Sequence, residues 1–212
     1  MHSTNDFLRA AAHGDIGLLE QYLRDGFDID AINNIGETAL IETVKNNQIA
    51  ACEFLLQQNA NPEIHDCSFG AIHFAAYLGR EEITDLLIAN DAEINNLTEN
   101  HDSALMLALQ EGYEDIAKAI LQKNPDVTIQ NKKGITALHW AASQGFGAIV
   151  QDLIVRGADT KAVGFNSENN EVTPLDLVED EDVRAMLESQ KSKFGARSAE
   201  QLASKKQRTS EL

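Results

Sequence analysis

The sequence predicts an all-α repeat solenoid: about six copies of a helix–turn–helix unit, joined by short β-hairpin connections and closed by degenerate caps at both ends. Three observations predict it. Phe7, Leu40, Ile72, Leu105, Leu138 and Leu175 hold one recurring position, at successive spacings of 33, 32, 33, 33 and 37 residues. Seven residues after the first five of these stand Gly14, Asn47, Gly79, Gly112 and Gly145. Only Gly or Asn holds that place, as a left-handed turn ending a short helix requires. A second apolar cluster then follows each turn: Leu18/Leu19/Leu23, Phe54/Leu55/Leu56, Leu86/Leu87/Ile88, Ile120/Leu121 and Leu153/Ile154. A fixed period of this length marks one supersecondary unit stacked on its neighbours, because a lone helix pair cannot bury its own apolar face.

The units can be justified in order. Unit one carries Arg9 on its opening helix and the alanine-rich run "AAAHGD", as a water-facing cap would. Unit two begins at Thr38, whose hydroxyl can accept an unsatisfied helix N–H. Its Glu42 interrupts a stripe held elsewhere by Phe74, Leu107, Trp140 and Leu177, and is expected to pair with Arg9 one unit earlier. Unit three follows a connection one residue short, with Ser68–Phe69 where a glycine is usual; Ala75–Ala76 is small enough for neighbouring helices to approach closely. Units four and five open on Ser103 and Thr136, and Trp140 reads as core with a partly open edge. Unit six follows a long connection, "GFNSENNE", and opens on Thr173–Pro174, where a proline's missing donor costs nothing. It is shortened and offers Glu179, Asp180, Glu181 and Asp182 to solvent, a polar closing cap. The polar connections, such as "GFDID", "DAEIN" and "GADTK", suit projecting hairpins. The repeats are expected to fill residues 1–188, with a basic flexible segment at 189–212.

Charge narrows the function classes. Residues 191–212 hold six of the 17 basic side chains and two of the 34 acidic ones, a net +4. The remainder carries 11 basic and 32 acidic, a net −21. Such a body repels nucleic-acid phosphates and anionic lipid, so neither direct nucleic-acid binding nor membrane association is expected; a basic partner is favoured. No apolar run approaches the roughly 18 residues of a membrane helix. The start lacks a basic stretch followed by an apolar one, and two cysteines, Cys52 and Cys67, make no disulfide framework. A cytoplasmic monomer is the expectation.

The spelling of the units resembles the ankyrin-repeat family. Thr136-Ala137-Leu138-His139 and Gly157-Ala158-Asp159 match its T-x-L-H and G-A-D blocks, and Thr173-Pro174-Leu175 supplies its proline. The resemblance covers about residues 6–188. It implies that His73 and His139 are structural, bonding backbone and neighbouring loop, and that partners are bound at hairpin tips and the exposed sides of first helices. Transferred by position, the implied contact residues are Asn34, Ile35, Glu37, Lys45 and Asn46 in unit two. Unit three adds Ser68, Phe69, Tyr77 and Leu78; unit four adds Glu99, Asn100, Asp102, Gln110 and Glu111; unit five adds Lys132, Lys133, Ile135, Ser143 and Gln144. Phe69, Tyr77 and Leu78 would form an apolar centre, with Phe69 exposed beside the others, and Glu99, Asp102 and Glu111 a charged rim. Asparagines resembling Asn95 are hydroxylated in some members; a structural bond across its hairpin is the reading preferred here.

Catalysis is not expected, and no cofactor is. No Gly-rich phosphate loop, no H-E-x-x-H and no nucleophile elbow occurs. The spacing of His65 and Cys67, with His101 one connection later, lacks the second close ligand pair of a tetrahedral metal site. Cys52 reads as core. The function expected is a non-catalytic interaction module, acting as adaptor, inhibitor or escort for a partner protein. The alternative is a secreted bacterial effector that binds a host protein, with the C-terminal basic segment as its export signal.

Overall fold

The computed structural model describes residues 3–66 and 68–189, which form two compact units divided after Lys132. Cys67 and the basic segment from 190 on, including the export-signal and tail expectations, lie outside the described residues.

The first unit contains four helix pairs: α1 Thr4–His13 with α2 Ile16–Arg24, α3 Ala39–Lys45 with α4 Ile49–Gln57, α5 Ala71–Tyr77 with α6 Glu81–Ala89, and α7 Ala104–Gln110 with α8 Glu114–Leu121. The first helices pack in a row, α1 on α3, α3 on α5 and α5 on α7, and the second helices do the same from α2 to α8. Between the rows Phe7, Leu40, Ile41, Leu55, Ile83, Leu87, Leu105, Met106 and Ile120 are fully buried. At roughly 1.5–3 kcal/mol for each such side chain, these junctions offset the ordering entropy that seven-residue helices cannot meet alone. The N-terminal pair adds an aromatic cluster, with Phe7 ring centroids 5.5 Å from Tyr22 and 5.0 Å from Phe27.

Local signals account for the helix ends. Ser3, Thr38 and Ser103 side chains each accept a backbone N–H two or three residues into the following helix. The turn position behaves as its composition requires: φ is +70° at Gly14, +55° at Asn47, +69° at Gly79, +82° at Gly112 and +73° at Gly145.

The second unit holds α9 Ala137–Ser143, α10 Gly147–Val155, a two-residue antiparallel ladder of β1 Gly164–Phe165 and β2 Glu171–Val172, a 3-10 turn Pro174–Leu177, and a last helix α11 over residues 181–189. Leu138 lies at its centre, and Pro174, Val178, Val183 and Leu187 close the core beyond.

Two expectations are corrected, on the opening helix of unit six and on Arg9 with Glu42. The opening helix of unit six is a single 3-10 turn, since Thr173 N–H and hydroxyl both bond the Asp176 carboxylate, at 2.8 and 2.6 Å, and Val178 is already extended. The connections are hairpins of minimal length, closed by single backbone bonds such as Asn33 N–H to the Glu37 carbonyl and Thr98 N–H to the Asp102 carbonyl. Among the described residues the only ladder is β1–β2, beside isolated bridges His65–Gly70 and Leu97–Ser103. The insertion in "GFNSENNE" supplies the length that a ladder needs. Finally, Arg9 and Glu42 bond within their own helices instead of across units, Arg9 to Asp6 at 2.5 Å and Glu42 to Lys45 at 3.1 Å.

Candidate protein-binding surface

The connections share one closing device. In unit two the Asn33 side-chain oxygen accepts from Ile35 and Glu37 N–H, both at 3.0 Å, while Asn33 N–H donates to the Glu37 carbonyl. The insertion repeats this five-residue loop around Asn166, which accepts from Glu168 and Asn170. In unit three the loop is one residue tighter. Asp66 accepts from Ser68 and Phe69 at 2.7 and 2.6 Å, and its own N–H reaches the Phe69 carbonyl at 3.0 Å. The missing residue is what turns the Phe69 side chain onto α5.

There Phe69 meets Phe74 at 5.1 Å, Tyr77 at 6.0 Å and His73 at 6.1 Å between ring centroids. Phe69 and Phe74 are half-buried; Tyr77 is 41% exposed. On the far side of Phe74 stands the Lys45 ammonium, 5.9 Å from the ring centroid, a cation–π distance. Lys45 also binds Glu37 and Glu42. Burial works against both charges, yet hydrogen bonds from Lys45 and Asn33 hold the Glu37 carboxyl below its ordinary range, and the two carboxylates raise Lys45 above its own.

Tyr77 and Leu78 stand out against their counterparts. The place of Tyr77 is held in other units by Ala12, Lys45, Gln110 and Ser143, and that of Leu78 by His13, Asn46, Glu111 and Gln144. Around them Glu99 and Glu111 are exposed, and Gln110 donates to Glu111 at 3.0 Å. Loop tips are tied one to the next, Glu99 N–H to the Ser68 carbonyl at 3.4 Å and Lys132 N–H to the Asn100 carbonyl at 3.0 Å, leaving Lys132 exposed.

The structure does not gather every expected contact residue. Ile135 is buried, 6% exposed, and offers no contact surface: it lies under β1, its Cδ1 2.6 Å from where a Cβ on Gly164 would stand. Gln144 is exposed and belongs to the second compact unit. Asp102 is half-buried and accepts from the Asn131 amide at 2.8 Å, so it braces two loops rather than standing free at a rim. Glu37 is buried, and Phe69 is less open than expected. Sequence reasoning passed over Tyr113, which is 38% exposed beside Gly79. Its signal is its place directly after the turn glycine Gly112.

Both expected structural histidines are buried, and a backbone donor fixes their tautomer. Gly70 N–H donates to His73 Nδ1 at 3.1 Å, so Nε2 carries the proton and donates to the Asn96 carbonyl at 2.8 Å. His139 repeats this with Thr136 N–H at 3.0 Å and the Val172 carbonyl at 3.2 Å. Burial pushes His73 down to about 4 and lowers His139 as well. Cys52 is buried, its thiol pushed up to about 11 by desolvation. Among the described residues no group of three or more His, Cys, Asp and Glu is placed to hold a metal ion, and no helix is long and apolar enough to cross a membrane.

Three copies of a model for ankyrin repeats match the chain, over residues 7–98, 72–163 and 105–192. The chain belongs to the ankyrin-repeat family. Its ankyrin repeats are similar to those of diverse proteins. It is 28% identical over 176 residues to human transient receptor potential cation channel subfamily A member 1, covering 79% of this chain and 16% of the channel. It is 29% identical over 169 residues to the E3 ubiquitin-protein ligase XBAT33 of Arabidopsis thaliana, covering 78% and 31%. It is 30% identical over 150 residues to the ankyrin repeat and KH domain-containing protein mask-1 of Caenorhabditis elegans, covering 65% and 6%. The chain therefore spans less than a third of the length of each of these relatives. Ankyrin repeats are protein–protein interaction modules and are generally non-catalytic.

Proposed function

We propose that these ankyrin repeats hold a partner protein on the surface centred on Tyr77, as an adaptor, inhibitor or escort, and that the partner presents a basic face. The observation that carries this reading is Tyr77 itself. A half-exposed aromatic ring stands edge-on to Phe69 at a position filled elsewhere by small or polar side chains. Aromatic anchors of this kind supply most of the binding energy in protein interfaces. Phe69, itself packed on Phe74, lies edge-on to Tyr77 and pre-sets its ring, so little ordering cost remains for binding. Leu78 widens the apolar centre, while Glu99, Glu111 and Gln110 give it a polar, net acidic margin, and the net −21 outside residues 191–212 supports a basic partner.

The test uses the full chain and its Tyr77→Ala variant as parallel baits, with mass spectrometry of what each retains. Any protein enriched by the wild type is then purified and measured by surface plasmon resonance. A basic partner lost by the variant supports the reading. Equal retention of every captured protein by both baits overturns it.

A further inference from the structure

At successive junctions of the first compact unit, the residue after a turn glycine or asparagine reaches back to the end of the preceding unit's first helix. Gln48 packs over Gly14 and donates from Nε2 to the Ala12 carbonyl at 3.1 Å. Arg80 donates from Nη2 to the Lys45 carbonyl at 3.1 Å. Ala12 and Lys45 each stand two residues before the turn position, at the end of a first helix, where a carbonyl has no partner within its helix. The third member of the series is Tyr113. Its ring lies over Gly79, with Cε1 and Cζ 2.6 Å from where a Cβ would stand, so it occupies the same place. The carbonyl it should serve is that of Tyr77, two residues before Gly79. No donor to the Tyr77 carbonyl is found among the described residues.

The series therefore breaks at Tyr113, and Phe146, which has no polar side-chain atom, does not restore it one unit later; the break at Tyr113 coincides with the proposed binding surface. The uncapped carbonyl belongs to Tyr77. The ring of Tyr77 and that of Tyr113, which lies over Gly79, are 41% and 38% exposed, and the exposed Glu111 is two residues before Tyr113. A guanidinium suits this set. It donates to a carbonyl, stacks on an aromatic face and pairs with a carboxylate, three interactions that a single ammonium point charge serves less well.

The geometry points to a receptor for one arginine side chain of the partner. That arginine donates to the Tyr77 carbonyl as Arg80 donates to the Lys45 carbonyl, stacked on Tyr113 and facing Glu111. This assignment rests on the Tyr77 surface being the binding face, and it names the partner's contact group.

Nuclear magnetic resonance titration of the full chain tests it, with acetyl-Gly-Arg-Gly-amide as probe and the citrulline counterpart as its uncharged isostere. The arginine peptide is expected to give saturating shifts at Tyr77, Leu78, Gly79 and Tyr113, and the citrulline peptide to bind at least tenfold more weakly. Tyr113→Arg supplies the guanidinium from within. It is expected to fold, to keep or raise the wild-type melting temperature, and to abolish the shifts at residues 77–79. Tyr113→Ala, which removes only the stacking face, should weaken the peptide several-fold. Equal binding of both peptides, or undiminished shifts at 77–79 in Tyr113→Arg or Tyr113→Ala, overturns the receptor. If Tyr77→Ala loses a partner that Tyr113→Arg and Tyr113→Ala both retain at full affinity, the protein-binding reading stands and the arginine receptor falls.

Discussion

At the scale of single residues, His73 makes folding sensitive to acid. Its folded value is about 4 because burial disfavours the charged ring, whereas an unfolded histidine titrates near 6.5. Between those values the unfolded chain binds more protons, so stability is fully present above about pH 6.5 and declines as pH falls towards 4. The shift is worth roughly 3 kcal/mol, and His139 adds to it in the same direction. Urea melts between pH 7 and 5, above most carboxylate titrations, should show the fall, with a shallower slope in His73→Gln. Tyr77 carries the second prediction at this scale. Tyr77→Ala should cost about 2 kcal/mol or more of partner affinity, mainly through faster dissociation. It should cost only about 1 kcal/mol of stability, because the ring gives up one edge contact to Phe69. Surface plasmon kinetics beside denaturant melts would separate the two effects. An unfolded variant would mean that the ring is core.

At the scale of the repeated element, the turn and the side chain laid over it act together. Gly79 has φ +69°, and a Cβ there would also meet the Tyr113 ring at 2.6 Å. Gly157 has φ +98° with nothing within 4 Å. Gly157→Ala should therefore cost about 1 kcal/mol for backbone conformation alone, and Gly79→Ala distinctly more, with the excess relieved in a Gly79→Ala/Tyr113→Ala double variant. Thermal melts of the four proteins decide this. The turn itself was legible in the sequence, because φ is a local property and only Gly and Asn tolerate it cheaply. The hydroxyls of Thr38 and Ser103 were legible for the same reason: a cap bonds to its own helix. What could not be read were contacts between elements. Ile135 is covered by a strand from an insertion nearly thirty residues later, Asp102 bonds Asn131 of the next loop, and Phe69 turns inward because its loop is one residue short. Tyr113 was missed because its meaning lies in what Gln48 and Arg80 do, and those bonds join different units.

At the scale of the whole molecule, charge governs encounter. Glu99→Lys should slow association with a basic partner and flatten its dependence on salt, leaving dissociation little changed, whereas Glu111→Lys should also hasten dissociation because Glu111 faces the bound guanidinium. Asp102 is unsuited to that test, since reversing it also breaks the bond to Asn131. Removing residues 191–212, which carry net +4, should raise the association rate of a basic probe at low ionic strength. Stopped-flow mixing with a fluorescent oligolysine at two salt concentrations would check both. An unchanged rate after truncation would mean that the positive segment does not compete for the acidic body.

The loop of the β1–β2 hairpin has a practical use. Residues 167–170 are all exposed, and the turn is closed by bonds from Asn166 and Asn170, so added chain between Ser167 and Asn169 would project into water without entering the core. It is therefore a natural port for a fluorescent label, an epitope or a sensor module, fitted far along the sequence from Tyr77 and without altering any buried side chain.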